Sequence, residues 1–200
     1  MSVRTPRTLL VLPLVIVAVA ASGCSSRGSE YQFLRSRSTG TYVKVPRSWD
    51  VAKAEDDEKF SFVRAFHASA VPTKGLPFAS DEPGGFVRVR RLTARERDDL
   101  SFDSLRDELV NDLDAAEASG DVKIIAAEDL RPGDGFRGQR IVFTLVSRDE
   151  SPDVTVSQTT LVDSRTSRLH LLVVGCRSAC FTRNTRQIET VVESLTLKEP

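Results

Sequence analysis

Two histidines, one methionine and three cysteines in a chain of 200 residues leave little from which to build a transition-metal centre. The cysteines are Cys24, Cys176 and Cys180, and neither a second close pair nor a histidine pair exists to complete a zinc site. No charge of one sign is in excess: 28 basic residues face 28 acidic ones. A nucleic-acid binder would show a basic surplus, so none is expected as a partner. The patterns of a serine nucleophile elbow, a zinc-binding H-E-x-x-H helix and a phosphate-binding P-loop are all missing. Gly133 to Gly138 does spell G-x-G-x-x-G, but it follows Pro132 and leads into a strand. Phosphate binding needs the reverse setting, a strand before and a helix N-terminus after, so these glycines read as a turn. There is no internal repeat, low-complexity tract or dividing linker, and one domain is expected. The sequence thus predicts no catalytic residues, no cofactor and no metal ligands.

Long apolar runs are also missing, with one exception. Residues 1–23 carry Arg4 and Arg7, then an apolar run from Leu9 to Ala20, then small residues, the three-part layout of a secretory signal peptide. Pro13 interrupts the run, which is shorter than the roughly 20 residues of a spanning helix. Ala21-Ser22-Gly23-Cys24 resembles the lipobox of bacterial lipoproteins. That resemblance implies a diacylglycerol on the Cys24 thiol and cleavage just before it; the alternative is an ordinary secretory cleavage site near a cysteine. Two acyl chains anchor stably where one does not, so the expected location is the extracytoplasmic face of the cell membrane. Residues 24–30 would form the lipidated tether. Its five residues Ser25 to Ser29 reach at most about 18 Å, which would keep the domain of residues 31–200 close to the headgroups.

An oxidising compartment changes the meaning of the other two cysteines. Cys176 and Cys180 stand in C-x-x-x-C spacing, unlike the C-x-x-C of thioredoxin-like redox sites. A structural disulfide is the expected reading, with a redox pair or free thiols as the alternatives. In the chain-entropy model so short a loop stabilises the fold by about 2 kcal/mol. The bridge would pin the apolar strand RLHLLVVGC to a following helix, in which Ile188, Val191, Val192 and Leu195 fall at helical spacing. Asn184 and Gln187 suggest a capping box at its start.

Elsewhere an alpha/beta pattern alternates. Tyr31 to Pro46 reads as a hairpin turning at Thr39-Gly40, and Lys59 to Phe66 as a strand. Residues 68–85 hold three prolines and three glycines without a period and read as a loop. A strand follows over GFVRVRRL, then one helix capped by Ser101 with Phe102, Leu105, Leu109 and Leu113 on one face. Further strands are expected at Val122 to Ala127, Gln139 to Ser147, Val154 to Asp163 and Arg168 to Cys176. His170, inside the last of these, reads as a hydrogen-bonded core histidine.

Tyr42-Val43-Lys44-Val45-Pro46-Arg47-Ser48-Trp49 resembles the strand, proline, small residue, tryptophan element of PsbP-like domains and of actinobacterial LpqN-type lipoproteins. The end of the chain is similar too: strand, turn, helix, then Val192-Glu193-Ser194-Leu195-Thr196-Leu197. The resemblance implies an α+β fold, an antiparallel sheet flanked by helices in a PsbP-like sandwich. It also implies a superfamily whose members mostly bind or assemble with other proteins and share no catalytic site.

Two charge clusters remain. Glu55-Asp56-Asp57-Glu58 could gather a calcium ion, but the EF-hand order is absent, and a solvated loop is the plainer reading. Arg88 and Arg90 project from one face of their strand, opposite Val87 and Val89. They form either a wet face or a contact for an anionic partner or headgroup, helped by Arg27, Arg35 and Arg37 near the anchor. The function expected is a non-catalytic module contacting an envelope protein beside the membrane; a carrier of a small or lipidic ligand is the alternative.

Overall fold

The computed structural model describes residues 29–53, 60–72 and 74–198. The signal segment, Cys24, Arg27 and the Glu55 to Glu58 cluster lie outside them. Strands β1 (Tyr31–Ser36) and β2 (Thr41–Pro46) form the expected hairpin, with Tyr31 opposite Pro46 and Ser36 opposite Thr41. Gly40 takes a φ of +69° in its turn, and a Cβ there would fall 1.7 Å from the Lys198 carbonyl oxygen. Glycine therefore lets the short strand β10 (Thr196–Leu197) dock antiparallel on β2.

The larger sheet has seven strands. They are β3 (Asp50–Lys53), β4 (Phe60–His67), β5 (Gly84–Arg91), β6 (Val122–Gly133), β7 (Phe136–Leu145), β8 (Val154–Val162) and β9 (Arg168–Arg177). Their order is β3-β4-β5-β9-β8-β7-β6, and every neighbouring pair is antiparallel. β9 sits at the centre, where the near-continuous apolar run places it. Leu169, Leu171 and Val173 enter one core, while Leu172, Val174 and Cys176 enter the other. That alternation is the two-residue period of a strand buried on both faces.

One face is covered by helix α4 (Ser178–Val192) and by the β1–β2–β10 sheet, which bury Val43, Val45, Trp49 and Phe66 together. The opposite face is covered by α1 (Ala94–Asp98), α2 (Phe102–Arg106) and α3 (Leu113–Ala118), with Phe78 reaching in from the 68–83 loop. The result is the expected antiparallel sheet between helical layers.

Four expectations are corrected. The single helix from Ser101 is two helices, because Asp112 adopts a left-handed φ of 53° and restarts the chain by accepting the Ala115 N–H. Asp107 meanwhile accepts the Leu113 N–H, so the break is stabilised by carboxylates, and Leu105 and Leu113 both stay buried. Helix α1, with its Thr93–Glu96 capping box, and strand β3 were not anticipated. Asn184 does not cap α4. The helix begins at Ser178, directly after β9, and Asn184 lies inside it donating to the Cys180 carbonyl at 2.9 Å. Finally, β6 and β7 extend into one long hairpin closed by Gly133, Asp134 and Gly135, all at positive φ, which is the glycine turn read from the G-x-G-x-x-G string.

Candidate functional site

The α4 face of the large sheet is only half covered. Over β4, β5 and β9 the helix and small sheet share one buried apolar cluster with the strands, and beyond β8 the sheet continues through β7 and β6. A groove results, with two lobes meeting at Arg140 and Val192. The first, about 250 Å³, is lined by Ile125, Val142, Ser157, Phe181 and Ile188. The second, about 340 Å³, is lined by Leu130, Pro132, Thr159, Leu161 and Leu195.

Strand periodicity explains this lining. With Ile141 and Phe143 turned to the other core, β7 must present Arg140 and Val142 here; with Val156 and Val162 turned away, β8 presents Ser157, Thr159 and Leu161. Ile125 stands 56% exposed at the outer wall. Arg140 is held by Glu128 at 3.0 Å, yet its Nε is buried without a partner. The Thr159 hydroxyl, on a residue 3% exposed, is likewise buried, and neither atom has a partner among the described residues. A buried hydroxyl without a hydrogen bond costs about 1–3 kcal/mol, so a polar group lies under the groove floor that a partner could satisfy only by opening the packing around it.

The residues singled out in the sequence lie elsewhere. Cys176 and Cys180 are bonded, with Cα atoms 5.9 Å apart, and both are fully buried. The bridge ties the end of β9 to the first turn of α4 and so holds one wall of the groove against the sheet. Arg88 and Arg90 lie on the opposite face, under α1 and the segment from α2 to α3. Arg90 reaches Glu96 at 2.6 Å and Glu108 at 2.5 Å, while Arg88 donates to the Glu108 carbonyl at 3.0 Å and stacks near Phe60 and Phe86. Burial pulls the Arg88 guanidinium down; Arg90 feels the same burial, but its bonds to Glu108 and Glu96 more than offset it. Neither a wet face nor an open anion contact describes this pair, because the chain's own Glu108 supplies the anion. Arg35 and Arg37 are at the turn end of the β1–β2 hairpin, whereas Ser29 lies at the other end beside Arg47. Six strand residues, about 20 Å, separate them.

The histidines are structural. The Ser69 N–H donates to His67 Nδ1 at 3.1 Å, which leaves the ring proton on Nε2, directed at the Ser80 hydroxyl 2.7 Å away. A general base would have to accept from that serine, so the pair is oriented the wrong way for nucleophilic activation. His170 lies in the core, its Nδ1 bonded to the Thr41 hydroxyl at 2.9 Å, as expected. Among the described residues no group of three His, Cys, Asp or Glu side chains could hold a metal ion. No described helix is long and apolar enough to cross a membrane.

Sequence reasoning missed the groove. Its signal was the hydroxyls of Ser157 and Thr159, two residues apart and so on one face of β8.

No protein-family model matches the chain, and no curated protein matches it. Solved structures do. The chain is similar to the solution structure of cyanobacterial PsbP (CyanoP) from Synechocystis sp. PCC 6803, at 15% identity and a TM-score of 0.56, covering 89% of this chain and 99% of that one. It is also similar to LpqN of Mycobacterium tuberculosis, described as involved in cell envelope biogenesis, at 12% identity and a TM-score of 0.53, over 84% and 91% of the two chains. The Ran-binding protein Mog1p of Saccharomyces cerevisiae matches at 9% identity and a TM-score of 0.50, over 84% and 95%. At these identities the fold alone is shared, and it is the PsbP-like α+β fold.

Proposed function

We propose that this chain is a lipoprotein anchored through Cys24 at the extracytoplasmic face of the cell membrane, where it acts as a non-catalytic module binding an envelope protein through the α4 groove. The observation that carries the reading is the half-covered sheet face. A fold with enough helix to seal one half of that face leaves the other open, with Ile125 exposed and Thr159 buried but unpartnered. The orientation of His67 toward Ser80 supports a role without nucleophilic chemistry. The description of LpqN supports an envelope setting, and the lipobox supports the anchor. The apolar lining of the first lobe favours, as a second reading, a carrier of a small or lipidic ligand.

A photo-crosslinking residue placed at Ile125 in the full-length protein tests this in intact cells. The expected result is one reproducible envelope-protein adduct, lost when Cys24 is changed to Ala and absent when the probe sits at Arg183, on the exposed side of α4. Adducts to lipid alone would replace the assembly reading with the carrier reading. Equal capture from both positions would remove the groove from either role.

A further inference from the structure

The pole of the molecule remote from Ser29 carries a second cavity that shares no lining residue with the groove. The β1–β2 turn brings Thr39 there, the β8–β9 turn brings residues 163–168, and the chain end brings Lys198, whose N–H donates to the Gly40 carbonyl at 2.9 Å. The β6–β7 turn closes in beside them: a Cβ on Gly135 would approach the Ser164 side chain to 2.9 Å. Four separate segments thus wall a space of about 130 Å³ at one end of the central strands.

Among the described residues that line this space, positive charge is in excess. Arg165, Arg168 and Lys198 all line it, and among the described residues none of the three is ion-paired. The one carboxylate among the described lining residues, Asp163, is turned to its own loop, accepting from the Ser167 N–H and hydroxyl at 2.5 Å each and from the Arg168 N–H at 2.9 Å. Those three bonds occupy its oxygens and shape the turn; they do not neutralise three cations. One neutral donor completes the wall. The Thr39 hydroxyl is bonded to that of Thr41 at 2.9 Å, and Thr41 holds His170 Nδ1, so Nε2 is the ring nitrogen left for other contacts. His170 stays neutral near pH 7 because burial lowers its pKa to about 4.

We infer that this distal pocket binds a tetrahedral oxyanion of the phosphate class. Two guanidinium groups supply planar forks matched to phosphate oxygens, Lys198 adds a point charge, and the Thr39–Thr41–His170 relay leaves one neutral donor for a directional bond. Lys198 Nζ lies over the Tyr42 ring at 5.5 Å, but a flat apolar ligand would leave the two guanidinium groups without a counter-charge. The six-residue span of β1 separates the pocket from Ser29; on the proposed reading of a lipid anchor at Cys24, that suits a ligand arriving from outside the membrane.

Titration of the full-length protein in non-ionic detergent with inorganic phosphate, at ionic strength held constant with chloride, tests the site by thermal shift. A saturable rise in Tm is expected. Its apparent affinity should fall at least tenfold in Arg165→Ala/Arg168→Ala and, independently, in Lys198→Ala, while Arg183→Ala leaves it unchanged. Soluble dihexanoyl phosphatidylglycerol distinguishes the source: binding tighter than phosphate identifies a lipid headgroup, and weaker binding a free phosphate ligand. A Tm that responds equally to chloride, or a phosphate response intact in both cation variants, would overturn the assignment. Because the groove is not involved, either result leaves the crosslinking test at Ile125 independent.

Discussion

The two halves of the sheet face beneath α4 are built from different side chains, although they share one sheet and one helix. Across β4, β5 and β9 the positions facing α4 are Phe62, Phe66, Val87, Val89, Leu172 and Val174, all buried, and Trp49 stacks on Phe66 with ring centroids 5.9 Å apart. Across β8 and β7 the equivalent positions are Thr155, Ser157, Thr159, Leu161, Arg140 and Val142. The apolar half recruits the β1–β2 hairpin as a second roof. The hydroxyl-rich half does not, since closing it would bury Thr159 and Arg140 still further without partners. Helix coverage alone therefore does not decide where a core ends; the polarity of alternate strand positions does.

The contrast can be broken most severely at Phe66. Phe66→Ala should lower the unfolding free energy by about 3–5 kcal/mol, seen as a reduced urea midpoint, while groove binding per folded molecule persists. A loss under 1 kcal/mol would show that the sealed half is not the stability-bearing one.

A pH difference between the halves is expected next, from His170. It is neutral in the fold, its pKa lowered from 6.5 to about 4 by burial, with Arg168 acting the same way and Asp163 opposing. The unfolded chain takes up the proton below pH 6.5, so it binds more protons than the native state between there and about pH 4. Stability from this residue is complete above pH 6.5 and is lost as the pH falls through that window. Between pH 7 and pH 5 the loss should be about 2 kcal/mol, and the difference between wild type and His170→Asn in urea midpoints at the two pH values reads it directly. Parallel pH profiles would refute it.

The smallest effect has the opposite sign. Thr159→Val removes an unpartnered buried hydroxyl at nearly constant volume, and unfolding should become harder by about 1 kcal/mol, while the Ile125 crosslink weakens. Stabilisation with undiminished crosslinking would mean that Thr159 is a packing defect and no handle.

Much of the architecture was legible because it rests on local rules. The hairpin from Tyr31 to Pro46, the doubly buried β9 and the Cys176–Cys180 bridge follow from alternation, a continuous apolar run and close cysteine spacing. The errors fell where a neighbour overrode local preference. The periodic stretch after Ser101 breaks because Asp107 and Asp112 bond the backbone around Leu113. Asn184 looks like a cap, but β9 and the disulfide start the helix at Ser178 before a cap is needed. Arg88 and Arg90 look free because Glu108, their partner, is distant in sequence.

By itself the sequence determined the β1–β2 hairpin, the doubly buried β9 and the close spacing of the paired cysteines, since each depends on residues within a few positions of one another. Tertiary structure alone decided that α4 roofs only half a sheet, that the Arg88 and Arg90 charges are met within the chain, and that Thr39, Arg165, Arg168 and Lys198 converge on one pocket. Those outcomes join segments as far apart as Thr39 and Lys198, and no periodicity along a chain records which of its turns will meet in space.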